Sequence, residues 1–262
     1  MPETTALDLT NLSRKEARVR SSLLTVSTIT VEVDVRNALD LNAKTFPVSA
    51  QLEFTCSEPG TKTTVDFINA GIDSLQVNGK SLDPDVYAGK AKIVIPDLAS
   101  NNVVTIKGRA RYSSSGEGMH RYRDPADGNI YLYPQYEPSD ARRVFPCFEQ
   151  PDLKARYSFS LVGPAGWKFL SNGAVKFSES LEDGSQRVVF EETKPMSSYI
   201  TAFVAGPYRE FTDHHLGIPL ALYCRESLVH NFQPEKLFRW TKLGLDFFEE
   251  YFNFPYPWGK YD

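Results

Sequence analysis

Apolar and polar residues alternate over long parts of the chain between residues 31 and 106. Val31, Val33 and Val35 alternate with acids, and six apolar side chains stand two positions apart from Phe46 to Cys56. This spacing places apolar side chains on one face of a β-strand. Shorter strands are predicted at residues 65–67, 75–77, 92–95 and 103–106. Short strands about ten residues apart predict an antiparallel sheet packed on a second sheet.

Strand-like sequence returns after residue 152. Strands are predicted at residues 157–161, 167–169, 188–190, 199–205 and 218–224. Asn78-Gly79 and Asp183-Gly184 predict tight hairpin turns, because such pairs tolerate positive φ. The predicted fold class is therefore mainly β, with an antiparallel β-sandwich as its largest part.

Two helices are predicted, one near each end of the chain. Ser13 and Glu16 form a capping-box pattern, which predicts a helix over residues 14–21. Pro234 suits the first position of a helix, since its missing amide would be unpaired there anyway. The residues that follow, 235–252, predict a helix with many aromatic side chains.

Gly206-Pro207 predicts a domain boundary, because neither residue continues a strand well. The boundary divides the chain into residues 1–207 and residues 208–262. The 55 residues after Pro207 are too few to bury the aromatic helix in a core of their own. We therefore expect the chain to be the front part of a longer protein.

Residues 113–151 follow neither the strand period nor the helix period. The part from Tyr133 to Pro151 combines prolines, two adjacent arginines, acids and a cysteine. A long irregular segment inside a compact domain is usually functional or disordered, and its aromatic residues argue against disorder. We expect this segment to build a site or a domain joint.

Composition excludes several classes of function. The formal net charge is −4 and no basic block is present, which argues against nucleic-acid binding. No apolar run reaches the roughly 18 residues that a membrane span needs, so no membrane contact is predicted. The first residues lack the charged and apolar regions of a signal peptide. The three widely spaced cysteines predict reduced thiols and a cytoplasmic protein.

The sequence contains none of the common hydrolytic motifs, such as H-E-x-x-H or G-x-S-x-G. His214-His215 is the closest histidine pair, but adjacent side chains point in different directions and chelate poorly. A surface turn is the simpler interpretation of that pair. Cys147 follows a proline among apolar residues and is predicted to be a buried thiol. No catalytic residue and no metal ligand is therefore predicted within the chain.

Gln135 and Glu137 are the candidate binding residues. They stand two positions apart in a segment that Pro134 and Pro138 bias toward extended backbone, so their side chains should project on one side. A carboxamide oxygen beside a carboxylate can accept the three N–H donors of an ammonium group. The alternative is structural: Glu137 would precede a helix start at residues 138–140, with the two arginines pairing with acids in a domain joint. The two interpretations are compatible.

Five motifs together resemble the gluzincin aminopeptidases of the aminopeptidase N type, in their bacterial cytosolic branch. They are GMHRY at 118–122, QYE at 135–137, ARRVFPCFEQP at 141–151, KPMSSY at 194–199 and FPYP at 254–257. The motifs occur in the family's order and the similarity covers essentially the whole chain. The combination is specific, whereas each motif alone would be weak.

The resemblance implies a saddle-like, all-β N-terminal domain followed by the beginning of a thermolysin-like α+β zinc domain. It implies that Gln135 and Glu137 hold the free α-amino group of peptide substrates. It also implies one zinc ion whose ligands lie beyond Asp262, so residues 1–262 alone should be catalytically inert. These enzymes remove N-terminal amino acids from peptides.

Three other interpretations remain open at this point. A leukotriene-hydrolase-like epoxide hydrolase shares the same front domains, but its branch has a second amide where Glu137 stands. A non-catalytic scaffold could keep the fold without zinc. A free-standing β-sandwich binding module fits the strands but leaves the aromatic helix at 235–252 unburied.

Overall fold

The computed structural model describes residues 11–262. Helix α1 (Arg14–Leu23) precedes the first strand, β1 (Leu24–Asp34). The remaining strands and helices are β2 (Thr45–Cys56), β3 (Thr63–Asp66), β4 (Gly71–Val77), β5 (Lys80–Leu82), α2 (Pro84–Tyr87), β6 (Lys92–Ile95), β7 (Asn101–Ser113), β8 (Gly118–Arg123), β9 (Ile130–Gln135), β10 (Arg156–Gly163), β11 (Lys168–Ser171), β12 (Val175–Ser180), β13 (Gln186–Phe190), β14 (Phe203–Gly206), β15 (Arg209–His215), β16 (Ile218–Cys224) and α3 (Pro234–Phe252). Short 3-10 helices cover Arg36–Leu39, Ala141–Arg143, Ser198–Ile200 and Glu226–Asn231.

One sheet of 12 strands dominates the molecule. Its main path runs β11-β14-β9-β8-β7-β2-β1-β10-β13-β12, and β4 and β5 branch from β7. Most neighbours are antiparallel, but β1 pairs with β10 and β7 pairs with β8 in parallel, so the sheet is mixed. Two small sheets, β3–β6 and β15–β16, complete the strands described. The predicted mainly-β fold is confirmed.

The strongest sequence pattern forms the middle of the large sheet. Every second residue of β2 is buried, from Phe46 to Cys56. Across the ladder, Val31 of β1 faces Ala50 of β2, and both side chains are excluded from solvent. A strand with one buried face needs this register, because a slip of one residue would turn the apolar side chains toward water.

Local turn and capping signals are also confirmed. Ser13 and Glu16 form the reciprocal capping box, with the Ser13 amide donating to the Glu16 carboxylate at 2.6 Å and the Glu16 amide donating to Ser13 Oγ at 3.2 Å. Asn78 and Gly79 both have positive φ, 52° and 80°, and join β4 to β5. These signals are readable from sequence because each depends on two or three neighbouring residues.

The expectation that residues 113–151 lack regular structure is wrong in part. Strands β8 and β9 lie within this range and pair as an antiparallel hairpin from Gly118↔Gln135 to Arg123↔Ile130. The strand predicted at 199–205 also starts late: Ser198–Ile200 is a 3-10 helix and β14 begins at Phe203. In both places, hydrogen bonds to other segments of the chain override the local pattern.

Helix α3 buries little of its apolar surface in this chain. Phe238 is its buried side chain, whereas large apolar residues along the helix are exposed: Leu237, Trp240, Leu243, Phe247, Phe248, Tyr251 and Phe252. His215 of β15 reaches the helix through a contact of 2.5 Å between its Nε2 and Asp246. Among residues 11–262, no helix is long and apolar enough to cross a membrane.

Candidate functional site

Gln135 and Glu137 lie at the open end of the β8–β9 hairpin. Gln135 is the last residue of β9 and is paired with Gly118. Between the two candidates, Tyr136 is only 3% exposed, whereas the side chains of Gln135 and Glu137 are both exposed. A buried residue flanked by two exposed ones is the arrangement expected of an extended segment, in which alternate side chains share a side.

Neither candidate side chain is engaged by the rest of the molecule. Within residues 11–262, the Gln135 carboxamide and the Glu137 carboxylate make no hydrogen bond or ion pair. A carboxylate can only accept hydrogen bonds, and a carboxamide oxygen can accept two. The pair is therefore chemically suited to a donor-rich cation such as an ammonium group.

Arg143 forms ion pairs with two acids other than Glu137. Its Nε donates to Asp140 at 2.6 Å, and its Nη2 lies 3.3 Å from the Glu117 carboxylate. Asp140 precedes the 3-10 helix that contains Arg143, and Glu117 precedes β8. These ion pairs join the loop after β9 to the start of β8, so the arginine braces the hairpin end that presents Gln135.

Arg142 is directed into the protein interior. The residue is 6% exposed, its backbone amide donates to Glu149 Oε2 at 2.8 Å, and its Nη2 donates to Ser139 Oγ at 3.2 Å. Arg142 therefore anchors the segment that follows Glu137 from the inside. The structural alternative for this segment holds in part: Arg143 pairs with acids, but residues 137–140 form a turn and the 3-10 helix begins at Ala141.

A buried network of charges fixes the next part of the segment. Arg20 Nη1 donates to Asp66 Oδ2 at 2.6 Å, and these residues are 4% and 1% exposed. The same carboxylate accepts the backbone amide of Glu149 at 3.0 Å. Glu149 in turn accepts a short hydrogen bond from the Ser198 hydroxyl. The network joins helix α1, strand β3, the 3-10 helix at Ser198 and residues 133–151, which we call the site segment.

Burial raises the pKa of two groups in this network. Desolvation raises the pKa of Glu149, while hydrogen bonds from Ser198 and the Arg142 amide oppose that change. Desolvation and the nearby Glu149 carboxyl raise the pKa of Cys147 well above its ordinary value. Cys147 is fully buried, as predicted, and its thiol stays protonated, so it is unsuited to act as a nucleophile.

Phe145 carries the site segment into the hydrophobic core. Its ring is fully buried, and its centroid lies between 5.9 and 6.3 Å from four other aromatic rings. Those rings belong to Tyr136, Tyr157, Phe159 and Phe203. The edge-to-face geometry is the favourable one for aromatic pairs. The loop that presents Glu137 is therefore attached to the core on both sides.

We expect Gly118→Ala to destabilise the chain more than Gly184→Ala. Both glycines have positive φ, 61° and 80°, and left-handed backbone costs a non-glycine residue about 1–2 kcal/mol. At Gly118 an added Cβ would also lie 2.9 Å from Arg143 Cβ, whereas nothing lies within 4 Å at Gly184. Urea unfolding of both variants measures the difference. Equal losses would show that the contact with Arg143 does not constrain this end of the hairpin.

The turn at the other end of the hairpin binds residues 225–227. Asp124 accepts hydrogen bonds from Ser227 Oγ at 2.6 Å and from Arg225 Nη1 at 2.9 Å. Asp127 accepts the Ser227 amide at 3.2 Å and the Tyr131 hydroxyl at 2.8 Å. We call this set of contacts the clasp. The clasp attaches the hairpin that carries Gln135 to the part of the chain after Gly206, and it was not predicted from sequence.

Asp124→Asn should loosen the clasp without unfolding the molecule. The hydrogen bond from Ser227 and the one from the Ala126 amide hold the pKa of Asp124 below its ordinary value, so the ionised carboxylate is the group that binds. Amide hydrogen exchange at Glu226 and Ser227 should become about tenfold faster, as expected when one charge-assisted hydrogen bond is weakened. Asp85→Asn, on exposed helix α2, is the control. Unchanged exchange at both amides would contradict the clasp.

The histidine pair forms no chelate in the structure. His214 and His215 end β15, just before the positive-φ residues Leu216 and Gly217 of a hairpin turn. Within residues 11–262, no three His, Cys, Asp or Glu side chains lie together so that they could hold a metal ion.

Comparison with known proteins identifies the family. Residues 24–200 match the description "Peptidase M1 N-terminal domain". The chain is 36% identical to an "Aminopeptidase N" of Streptomyces lividans over 258 residues, which is 97% of this chain and 29% of that protein. It is 26% identical over 226 residues to "Aminopeptidase 2" of Candida albicans, covering 83% and 24%. It is 37% identical over 148 residues to human "Glutamyl aminopeptidase", covering 55% and 15%.

The chain spans less than a third of the length of the curated relatives that it matches. The family match includes strands β1–β10, the hairpin β8–β9 and the site segment. It therefore includes both Gln135 and Glu137. The chain belongs to the peptidase M1 family and contains its N-terminal domain.

Proposed function

We propose that this chain is the N-terminal part of a zinc aminopeptidase that removes N-terminal amino acids from peptides. Its part in the reaction is to anchor the free α-amino group of the substrate through Gln135 and Glu137. The observation that carries the proposal is the exposed, unengaged acceptor pair at the end of a braced hairpin. The relatives with aminopeptidase names support the reaction class.

The anchor explains why such an enzyme would remove one residue at a time. An ammonium group held by a carboxylate and a carboxamide fixes the position of the first peptide bond relative to the rest of the site. Positioning of this kind lowers the barrier, because the reacting groups are already oriented. A blocked amine lacks the charge and two of the three donors, so an N-acetylated peptide should be rejected.

The described residues do not fit a zinc site. His215 is paired with Asp246, His214 is exposed, and no cluster of metal-binding side chains is found within residues 11–262. Because the chain spans less than a third of its curated relatives, we propose that the one zinc ion, its ligands and the activation of water belong to residues beyond Asp262.

In the proposed enzyme, residues 1–207 form the N-terminal domain and residues 208–262 form the beginning of the catalytic domain. The exposed aromatic surface of α3 supports this division, because a helix with so much apolar surface is normally covered by other elements. The three unpaired, buried cysteines support a reducing compartment, and we place the enzyme in the cytoplasm.

The test is an activity assay on the full-length protein encoded by the gene. Purified with stoichiometric zinc, it should hydrolyse leucyl anilide and leave N-acetyl-leucyl anilide intact. Residues 1–262 expressed alone should hydrolyse neither. Hydrolysis of the N-acetylated substrate at a similar rate would contradict an amine anchor. Activity of residues 1–262 with bound zinc would contradict the assignment of the zinc site to residues beyond Asp262.

A further inference from the structure

An aromatic pair lies beside the proposed amine anchor. Tyr133 precedes Gln135 by two positions on β9, so the two side chains project from the same face of the strand. His120 of β8 is directly opposite Tyr133 in the ladder. The two ring centroids are 4.9 Å apart and the ring planes are tilted by 37°. We call Tyr133 and His120 the aromatic step.

The aromatic step is rigid on its inner side. The backbone amide of Gly116 donates to His120 Nδ1 at 3.1 Å, so the proton of the neutral ring is on Nε2. Burial lowers the pKa of His120, which keeps the imidazole uncharged near neutral pH. The His120 ring also stacks over Tyr122 with a centroid separation of 6.4 Å. Tyr133 thus rests against a fixed, neutral ring.

Neighbouring aromatic residues on this face are covered, but Tyr133 is not. Tyr131 packs against Tyr208 at 4.9 Å, and Tyr122 is covered by the Arg225 guanidinium at 4.7 Å. Tyr133 remains 39% exposed although Tyr131 on the same strand is fully buried. Tyr208 and Arg225 therefore cover one end of the aromatic face and leave the Tyr133 ring exposed. The open end of the face is the end next to Gln135.

Tyr133 and Gln135 are close enough for one bound amino acid to contact both side chains. Two residues along a strand separate Tyr133 from Gln135 by about 6.6 Å. A substrate nitrogen bound at Gln135 is two bonds from its own Cβ, and each bond is about 1.5 Å long. The side chain of a leucine or phenylalanine extends several bonds beyond Cβ and can reach toward Tyr133, whereas the side chain of alanine ends at Cβ.

We propose that Tyr133, supported by His120, contacts the side chain of the substrate's first residue and favours peptides that begin with large apolar or aromatic residues. The inference rests on the proposed function, because it needs an α-amino group bound at Gln135 and Glu137. It adds a selective contact to that anchor. Tyr133 acts by touching the substrate, and His120 acts by positioning Tyr133.

Kinetics of the full-length enzyme with two substrates test this inference. Tyr133→Ala should lower kcat/KM for phenylalanyl anilide about tenfold, the order expected for loss of one aromatic contact, and should change kcat/KM for alanyl anilide by less than about twofold. Tyr133→Phe should retain the wild-type preference. Phe177→Ala, which removes an exposed ring from the distant strand β12, should leave both values unchanged.

The outcomes separate this inference from the proposed function. Suppose that the wild-type enzyme hydrolyses both anilides and that Tyr133→Ala lowers both kcat/KM values equally, or lowers neither. The proposed contact between Tyr133 and the substrate is then wrong, while the proposed amine anchor is not contradicted. If wild-type enzyme hydrolyses no substrate with a free amine, the proposed function is wrong and the contact is wrong with it. Thermal unfolding of each variant identifies any loss of activity that comes from a loss of folded protein.

Discussion

Glu137→Gln should lower kcat/KM of the full-length enzyme for leucyl anilide by about ten- to a hundredfold. The substitution keeps the size of the side chain and removes the charge that we propose faces the substrate ammonium. A hydrogen bond to a charged group contributes about 1.5–3 kcal/mol, and about 1.4 kcal/mol corresponds to a tenfold change. Because the Glu137 side chain is exposed and makes no hydrogen bond or ion pair within the described residues, the variant should fold normally.

The matched control is Glu182→Gln, which removes an exposed carboxylate from the turn between β12 and β13. It changes net charge by the same amount and should leave kcat/KM unchanged. If Glu137→Gln also left kcat/KM unchanged while N-acetyl-leucyl anilide was still rejected, Glu137 would have no part in recognising the amine.

Asp66→Ala should destabilise the chain by about 3–5 kcal/mol, the usual cost of leaving one partner of a buried ion pair unpaired. The variant leaves Arg20, which is 4% exposed, without its carboxylate. It also removes the acceptor of the Glu149 amide, which lies 3.0 Å from Asp66 Oδ2. Urea unfolding of residues 1–262, followed by circular dichroism, gives the free energy of unfolding.

Asp73→Ala is the control for this measurement. Asp73 pairs with Arg109 at 3.4 Å, but both side chains are about half exposed, and exposed pairs contribute about 0–1 kcal/mol. Similar losses for Asp66→Ala and Asp73→Ala would mean that the buried network does not hold the site segment in place. A large difference would show that burial, and not the ion pair alone, makes Asp66 important.

Local patterns predicted most of the sheet and the position of the acceptor pair. The alternation from Phe46 to Cys56 is readable because one face of β2 packs on the core and the other does not. Gln135 and Glu137 could be singled out because they stand two positions apart in a segment that Pro134 and Pro138 bias toward extended backbone. In each case the information lies within a few neighbouring residues.

The hairpin β8–β9 was not predicted because its first strand lacks a strand pattern, and the clasp was not predicted because its contacts come from far along the chain. Residues 118–123 include two arginines and a histidine and show no strand alternation. They become a strand by pairing with β9 and, in parallel, with the end of β7. Asp124 meets Arg225 across about a hundred residues of sequence. A single sequence without an alignment carries no signal for such a pair.

The late start of β14 has the same kind of cause. Ser198 donates its hydroxyl to Glu149, and Ser197 donates to the Pro151 carbonyl oxygen at 2.7 Å. These bonds tie residues 197–198 to the site segment and hold them out of the strand. The pattern of apolar residues from Tyr199 onward could not reveal a constraint imposed by residues about fifty positions earlier.

A crystal structure of the full-length enzyme with bound leucine tests the amine anchor most directly. The account predicts that the α-nitrogen lies about 2.7–3.2 Å from both Gln135 Oε1 and a carboxylate oxygen of Glu137. Leucine bound with its amine on other groups, while Gln135 and Glu137 face solvent or pair with protein side chains, would contradict it.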